Sequence, residues 1–188
     1  MICNKCGKSF ESGLARSVNV SRNPELKQQI LDGTYFLSAC PHCGQVNLDD
    51  GEFLYNDPSE RVLIVMSKSA MSSPGLEEYT CRRVCSVGEM IEKIKIFDAG
   101  LSDVAIEICK FVTMQELGRD VSLKFYKMEG TDGELTFAYP EKGQMQMLEI
   151  GQNVYADALG ILSRNPELEN EAGGLAKIDQ EWLSRFFR

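Results

Sequence analysis

Cys40-Pro41-His42-Cys43-Gly44 is the stretch that decides the fold, and Cys3-Asn4-Lys5-Cys6-Gly7 is its counterpart near the start of the chain. Both have the form C-x-x-C-G. Two intervening residues let a reversing turn aim both sulfurs at one ion. The glycine that follows tolerates positive φ, so backbone N–H groups come close to the thiolates. Together the two knuckles offer four soft ligands, Cys3, Cys6, Cys40 and Cys43, to one tetrahedral ion with metal–sulfur bonds of about 2.3 Å. Four thiolates close the shell, so the spacing points to a structural metal rather than one that activates water.

Zn2+ is the expected occupant. Iron in a rubredoxin-like site is the alternative, because such sites also pair C-x-x-C-G with C-P-x-C-G. The short aromatic motif that follows the first rubredoxin knuckle is replaced here by Lys8-Ser9-Phe10. Cys-Pro-His-Cys is also the tetrapeptide of a strongly oxidising dithiol. That chemistry wants the first cysteine at a helix N-terminus, whereas here Gly44 follows the second cysteine and another C-x-x-C-G exists. His42 is expected to point away from the ion.

Between the knuckles lie 33 residues, more than a short loop needs. Gly13 to Ser21 is expected to be a strand. Asn23-Pro24-Glu25 starts a helix, with Pro at the first helical position and Glu favoured by the dipole, and Gly33 ends it. Thr34 to Ala39 is aromatic and strand-like and runs into Cys40. Beyond the second knuckle, Phe53–Tyr55 and Arg61–Ser67 form a hairpin turned by Asn56-Asp57-Pro58-Ser59. Ser69 to Glu78, rich in Ser, Pro and Gly, is expected to be a loop and a boundary.

A helical hairpin follows. Ser86 and Glu89 form a capping box, Met90, Ile91, Ile94 and Phe97 are spaced helically, and Gly100 stops the first helix. The second begins near Ser102-Asp103 and ends near Gly118. Residues 121–139 are expected to be a β-hairpin around Thr131-Asp132-Gly133. Met145 to Ile150 alternates as a strand. Val154, Tyr155, Ala158, Leu159 and Leu162 suit a helix, Leu175 to Ile178 a short strand, and Asp179 caps a last helix carrying Trp182, Leu183, Phe186 and Phe187. Ser-Arg-Asn-Pro-Glu-Leu occurs twice, at residues 21–26 and 163–168, with unmatched flanks. This is the same helix-start chemistry used twice rather than a duplicated domain.

The chain has seven cysteines and a single histidine, which excludes chemistry needing two histidines. No apolar run approaches the length of a membrane helix, and the N-terminus lacks the apolar segment of a signal peptide. The expected location is the cytoplasm, where thiols stay reduced and cysteines serve as metal ligands or buried thiols. Cys81 and Cys85 would share a face if that stretch were helical. Beside Arg82 and Arg83 they are reactive-thiol candidates, while buried thiols are the default for them and for Cys109. A formal net charge of −8, with no basic run beyond Arg82-Arg83, excludes a sequence-independent nucleic-acid binder. Residues 126–188 carry six basic and eleven acidic side chains, where a basic protein partner would land. No P-loop, dinucleotide fingerprint, nucleophile elbow or histidine triad is present.

Cys40-Pro41-His42-Cys43-Gly44, with Asn23-Pro24-Glu25-Leu26 and Leu31-Asp32-Gly33 before it and Leu54-Tyr55-Asn56-Asp57-Pro58 after it, resembles the CpXC-domain proteins of bacteria and archaea. The stretch from Glu92 to Asp103 resembles them too, so the likeness covers roughly residues 1–115. The first motif departs from the family pattern, with Asn4 where proline is typical; the ligands are unaffected. The resemblance implies a metal-stapled N-terminal domain and adds no activity.

The expected fold is α+β. It comprises a four-cysteine zinc-ribbon or rubredoxin-like module with antiparallel strands at 1–70, a helical hairpin at 81–118 and an α+β region at 121–188. The expected function is that of a non-enzymatic adaptor whose partner is another protein, without nucleic acid or membrane. The alternatives are an enzyme of unrecognised class with the zinc structural, and an iron electron carrier.

Overall fold

Residues 1–72, 75–130 and 133–187 are described by a computed structural model. The chain divides into two compact units, Met1–Ile91 and Glu92–Arg188. The division falls inside a helix. The expected loop at 69–78 includes Ser73 and Pro74, which lie outside the described residues, and stands in the chain between two neighbouring strands of one sheet.

In the first unit, β1 (Ser17–Asn19), β4 (Phe53–Asp57), β5 (Val62–Met66) and β6 (Thr80–Val84) form a sheet in the order β1-β4-β5-β6. The expected hairpin is present as β4 and β5, paired antiparallel from Phe53↔Met66 to Asp57↔Val62. Asp57 shapes its turn by accepting the N–H groups of Ser59 and Glu60. The expected antiparallel pairing holds for this hairpin, but the sheet as a whole is mixed: β1 lies parallel to β4, and β5 parallel to β6. Cys81 and Arg82 therefore belong to a strand, not a helix. β5 is buried on both faces, as its unbroken Val-Leu-Ile-Val-Met run requires.

α1 (Pro24–Leu31) begins at Asn23 as expected. The aromatic stretch after it is only half strand. Thr34–Phe36 forms a 3-10 turn and β2 is confined to Leu37–Ala39. Local polar bonds override the β preference of Thr-Tyr-Phe: the Asp32 carboxylate accepts both the N–H and the hydroxyl of Thr34, and Gly33 takes φ of 80°. β2 pairs antiparallel with β3 (Val46–Leu48), a strand the sequence did not announce.

α2 (Val87–Asp98) starts at Ser86, whose Oγ accepts the Glu89 N–H at 3.2 Å. Glu89 reaches back to the Cys85 N–H, one residue earlier than a capping box specifies. α3 (Asp103–Leu117) starts at Ser102, whose Oγ accepts the Ala105 N–H. Two ion pairs buried between Glu92 and Lys110 and between Lys93 and Asp103 join the helices.

In the second unit, β7 (Lys124–Glu129), β8 (Glu134–Glu141) and β9 (Gln144–Ile150) form an antiparallel sheet. Thr131 and Asp132, the expected turn tip, lie outside the described residues. α4 (Gln152–Arg164) packs against α3, α5 (Pro166–Glu171) follows it, and α6 (Gln180–Leu183) also packs on α3. The core gathers Ile106, Ile108, Phe125, Leu135, Phe137, Leu162 and Leu183. Leu175–Ile178 is not a strand; only Ala176 takes part in a bridge. The repeated hexapeptide starts α1 and α5 with nearly one backbone geometry, φ −132° and ψ 66° at Asn23 against φ −127° and ψ 72° at Asn165. In both, proline follows at the first helical turn.

Candidate metal centre

Each C-x-x-C-G segment folds as a tight turn with the same two backbone bonds. In the first, the Cys3 N–H donates to the Lys8 carbonyl at 3.0 Å and the Gly7 N–H to the Cys3 carbonyl at 3.0 Å. In the second, the Cys40 N–H donates to Gln45 at 2.8 Å and the Gly44 N–H to Cys40 at 2.9 Å. Gly7 and Gly44 take φ of 69° and 72°, the left-handed region in which a side chain would be strained. The first turn is closed by an antiparallel bridge between Ile2 and Ser9, the second by β2 and β3.

These turns face each other. The sulfurs of Cys3 and Cys43 are 3.6 Å apart, those of Cys6 and Cys40 are 3.7 Å apart, and all four lie within 4.8 Å of one another. Sulfurs at the corners of a tetrahedron with metal–sulfur bonds of about 2.3 Å are separated by about 3.8 Å. The four sulfurs are therefore spaced to hold one metal ion. Cys3 and Cys40 are buried, and Cys6 and Cys43 lie toward solvent. His42 is exposed on its turn and outside the cluster.

Backbone amides supply the positive end of dipoles. The Lys5 N–H points at the Cys3 sulfur at 3.5 Å. The Cys6 N–H is the largest influence holding the Cys3 thiol down to about 6; burial opposes it, and Lys5, Cys43 and Asn47 assist. At Cys43 the Gln45 N–H acts downward, but burial and the sulfurs of Cys3, Cys6 and Cys40 outweigh it and push the thiol up to about 11. Four sulfurs this close cannot all be charged without a cation among them. A metal that binds here therefore displaces protons from the thiols.

Asn47 is the residue that sequence reasoning missed. It is buried in β3 and joins the two knuckles. Its Oδ1 accepts the Asn4 N–H at 2.8 Å, and its Nδ2 donates to the Gln45 carbonyl at 2.7 Å and to the Cys3 sulfur at 3.7 Å. Ser38, opposite Asn47 in the ladder, donates to the Ser12 carbonyl. Just beyond β3, Asp49 takes a two-pronged bond from Arg16 at 3.0 and 2.9 Å. Tyr35 donates to the Ala15 carbonyl at 3.0 Å and stacks edge-on with Phe36, and both rings meet Phe53. The hairpin is thus tied to residues 12–16 and to the strand β4.

The inner face of β2 and β3 is polar and the outer face is apolar. Asn47 is 3% exposed, whereas Leu37, Val46 and Leu48 are 46%, 52% and 51% exposed.

The other cysteines stand apart from the cluster. Burial pushes the Cys81 thiol up, and the Cys109 thiol up to about 12. Cys109 donates to the Val154 carbonyl. Cys85 is half-buried, with the Arg83 guanidinium 3.4 Å from its sulfur. No helix among the described residues is long and apolar enough to cross a membrane.

Fold and site together define an α+β protein with a four-cysteine cluster that could hold a metal ion. The chain belongs to the CpXC family, whose model, described as "CpXC protein", matches residues 1–110. No curated protein and no solved structure matches it.

Proposed function

We propose that this protein is a zinc-stapled, non-enzymatic interaction module of the cytoplasm. Zn2+ held by Cys3, Cys6, Cys40 and Cys43 fixes two facing turns in a ribbon-like arrangement, and the outer face of the second docks another protein. The observation that carries the reading is the inverted alternation of β2 and β3. A strand pair lying on a domain normally turns its apolar residues inward. Here Asn47 and Ser38 face inward, and Leu37, Val46 and Leu48 face water. A metal explains how such a hairpin is stable, because metal–thiolate bonds replace the missing apolar burial. A partner explains the outer face, because contiguous exposed apolar surface marks an interaction site. Four thiolates leave a tetrahedral ion no open position, so the metal's part is structural.

Elemental analysis of the purified chain tests the metal, with one colourless zinc per chain expected. A red protein with thiolate-to-iron absorption would establish the electron-carrier alternative instead, and a metal-free folded chain would end both. The docking face is tested by replacing Leu37→Lys and Leu48→Lys together. Zinc content and melting temperature should hold while quantitative pull-down from the native cell loses its specific partner. If the partner is retained, the docking face lies elsewhere.

A further inference from the structure

Four strands of the two larger sheets lie at a sheet edge, and three are guarded. β1 is three residues long. β6 carries Arg82 and Arg83. β7 is interrupted by a bulge between Phe125 and Lys127 and carries Lys124 and Lys127. Short length, charged side chains (lysine above all) and bulges are the devices that stop an edge strand from pairing with another chain. Of these, β9 has only the single carboxylate of Glu149. It is seven residues long, Gln-Met-Gln-Met-Leu-Glu-Ile, without proline, lysine or arginine and in unbroken register with β8.

The core also runs out to this edge. Across the ladder Leu148 faces Phe137 and Ile150 faces Leu135. Phe137 and Leu135 are fully buried, while Leu148 and Ile150 are only half-buried. Among the described residues no strand pairs with the outer edge of β9. On the opposite face Met145 and Met147 are 59% and 54% exposed.

We propose that β9 pairs antiparallel with β9 of a second copy, joining two three-stranded sheets into one of six strands. A two-fold axis through Met147 gives full overlap of the seven residues. In that register Met147 meets the partner's Met147, Gln146 meets the partner's Leu148, and Gln144 meets the partner's Ile150. Glu149, the only charge in the strand, meets the partner's Met145, so no like charges oppose. This self-complementarity selects a second copy over an unrelated strand. Leu148 and Ile150 gain cover on the core face, and the flexible methionines fill the outer face. The pairing does not depend on the metal centre or on the face of β2 and β3. Because each copy carries a formal charge of −8, association works against repulsion that salt screens, so the dimer should tighten as ionic strength rises.

Sedimentation velocity on the full chain over a concentration series tests this, combined with hydrogen exchange. A dimer is expected, with residues 144–150 gaining protection as it forms. Met147→Lys puts two ammonium groups at the axis and should weaken the dimer about 2- to 5-fold, with unchanged circular dichroism. Met145→Lys faces the partner's Glu149 twice and should tighten it about 2- to 30-fold. The second variant keeps the test decisive if the first fails to fold. A monomer at every concentration overturns the pairing. So does a dimer indifferent to both variants, one without protection at 144–150, or one that salt dissolves.

Discussion

Asn47 donates its side-chain amide to the sulfur of Cys3 at 3.7 Å, from the hairpin that carries the other cysteine pair. The same side chain accepts the Asn4 N–H. One buried amide therefore fixes the relative position of the two turns and stabilises negative charge on sulfur. The arrangement makes the four-sulfur geometry depend on a residue that ligates nothing.

Replacing Asn47→Leu removes both functions while keeping similar volume. Partners of this kind are worth about 10- to 100-fold in metal affinity. Competition against a chromophoric chelator should show a loss in that range. Asn47→Asp restores the acceptor for Asn4 but brings a carboxylate beside the thiolates, and should bind no better than the leucine variant. Wild-type affinity in Asn47→Leu would remove the residue from the metal centre's support.

Metal removal should be felt locally. The turn at residues 3–7 is held by a single bridge and the turn at 40–44 by a three-residue ladder, neither of which is stable alone. With chelator, or in Cys3→Ser and Cys40→Ser, amide protection should collapse across residues 2–9 and 37–48. Residues 92–188, which have their own core, should keep theirs. The loss in stability should be several kcal/mol. Hydrogen exchange resolved by segment reads both outcomes at once, and protection retained at 37–48 without metal would show the hairpin to be self-sufficient.

Much of this architecture is written in short-range signals. Pro24 after Asn23, Ser102 before α3 and Asp179 before α6 mark helix starts that the structure reproduces, and Asn56-Asp57-Pro58 marks the β4–β5 turn. The cysteine spacing likewise points to four residues that the structure brings together. What stayed hidden depends on partners distant in the chain. Nothing local tells Ser17–Asn19 to lie parallel to Leu54–Asn56, or Thr80–Val84 to join β5. Asn47 was invisible for a related reason. A polar residue between Val46 and Leu48 reads as the solvent-facing one, whereas here it faces inward and bonds to Asn4, Gln45 and the Cys3 sulfur. Glu107 and Lys110, three apart on α3, went unread in the sequence because their burial depends on β7 and α6.

That pair belongs to a buried charge network. Lys110 lies 2.6 Å from Glu92 and 2.7 Å from Glu107, with all three side chains almost wholly buried. Glu92 also accepts the Phe125 N–H, and Gln180 donates to Glu107. Despite burial, the nearby Lys110 and Lys124 ammonium groups hold the Glu92 carboxyl below its usual range. Lys110→Met removes the shared cation and strands two carboxylates. Breaking a buried pair from one side costs about 3–5 kcal/mol. Urea denaturation should show a loss of that order. A cost under about 1 kcal/mol would mean that Lys124 and Gln180 suffice.

Asp49 sets an acid limit on the hairpin's attachment. Burial alone would raise its carboxyl. The Arg16 guanidinium outweighs burial, helped by Ser12 and the Gly51 N–H, and brings it to about 2. An unfolded aspartate titrates near ~3.9. The folded value is the lower one, so the stabilisation is fully present above about pH 4. It is lost as pH falls through about 2. The full linkage figure for such a shift is about 2.6 kcal/mol. Arg16 is half-exposed, and solvent screening cuts the contribution to about 1 kcal/mol. Asp49→Asn lacks the charge at every pH. Its deficit against the wild type, read from urea midpoints between neutral and acid pH, should be about 1 kcal/mol at pH 7 and vanish below about pH 2. Loss of metal in acid affects both chains alike and cancels in the difference. A deficit that stays constant across the range would mean that Asp49 acts through shape and neutral hydrogen bonds rather than through its charge.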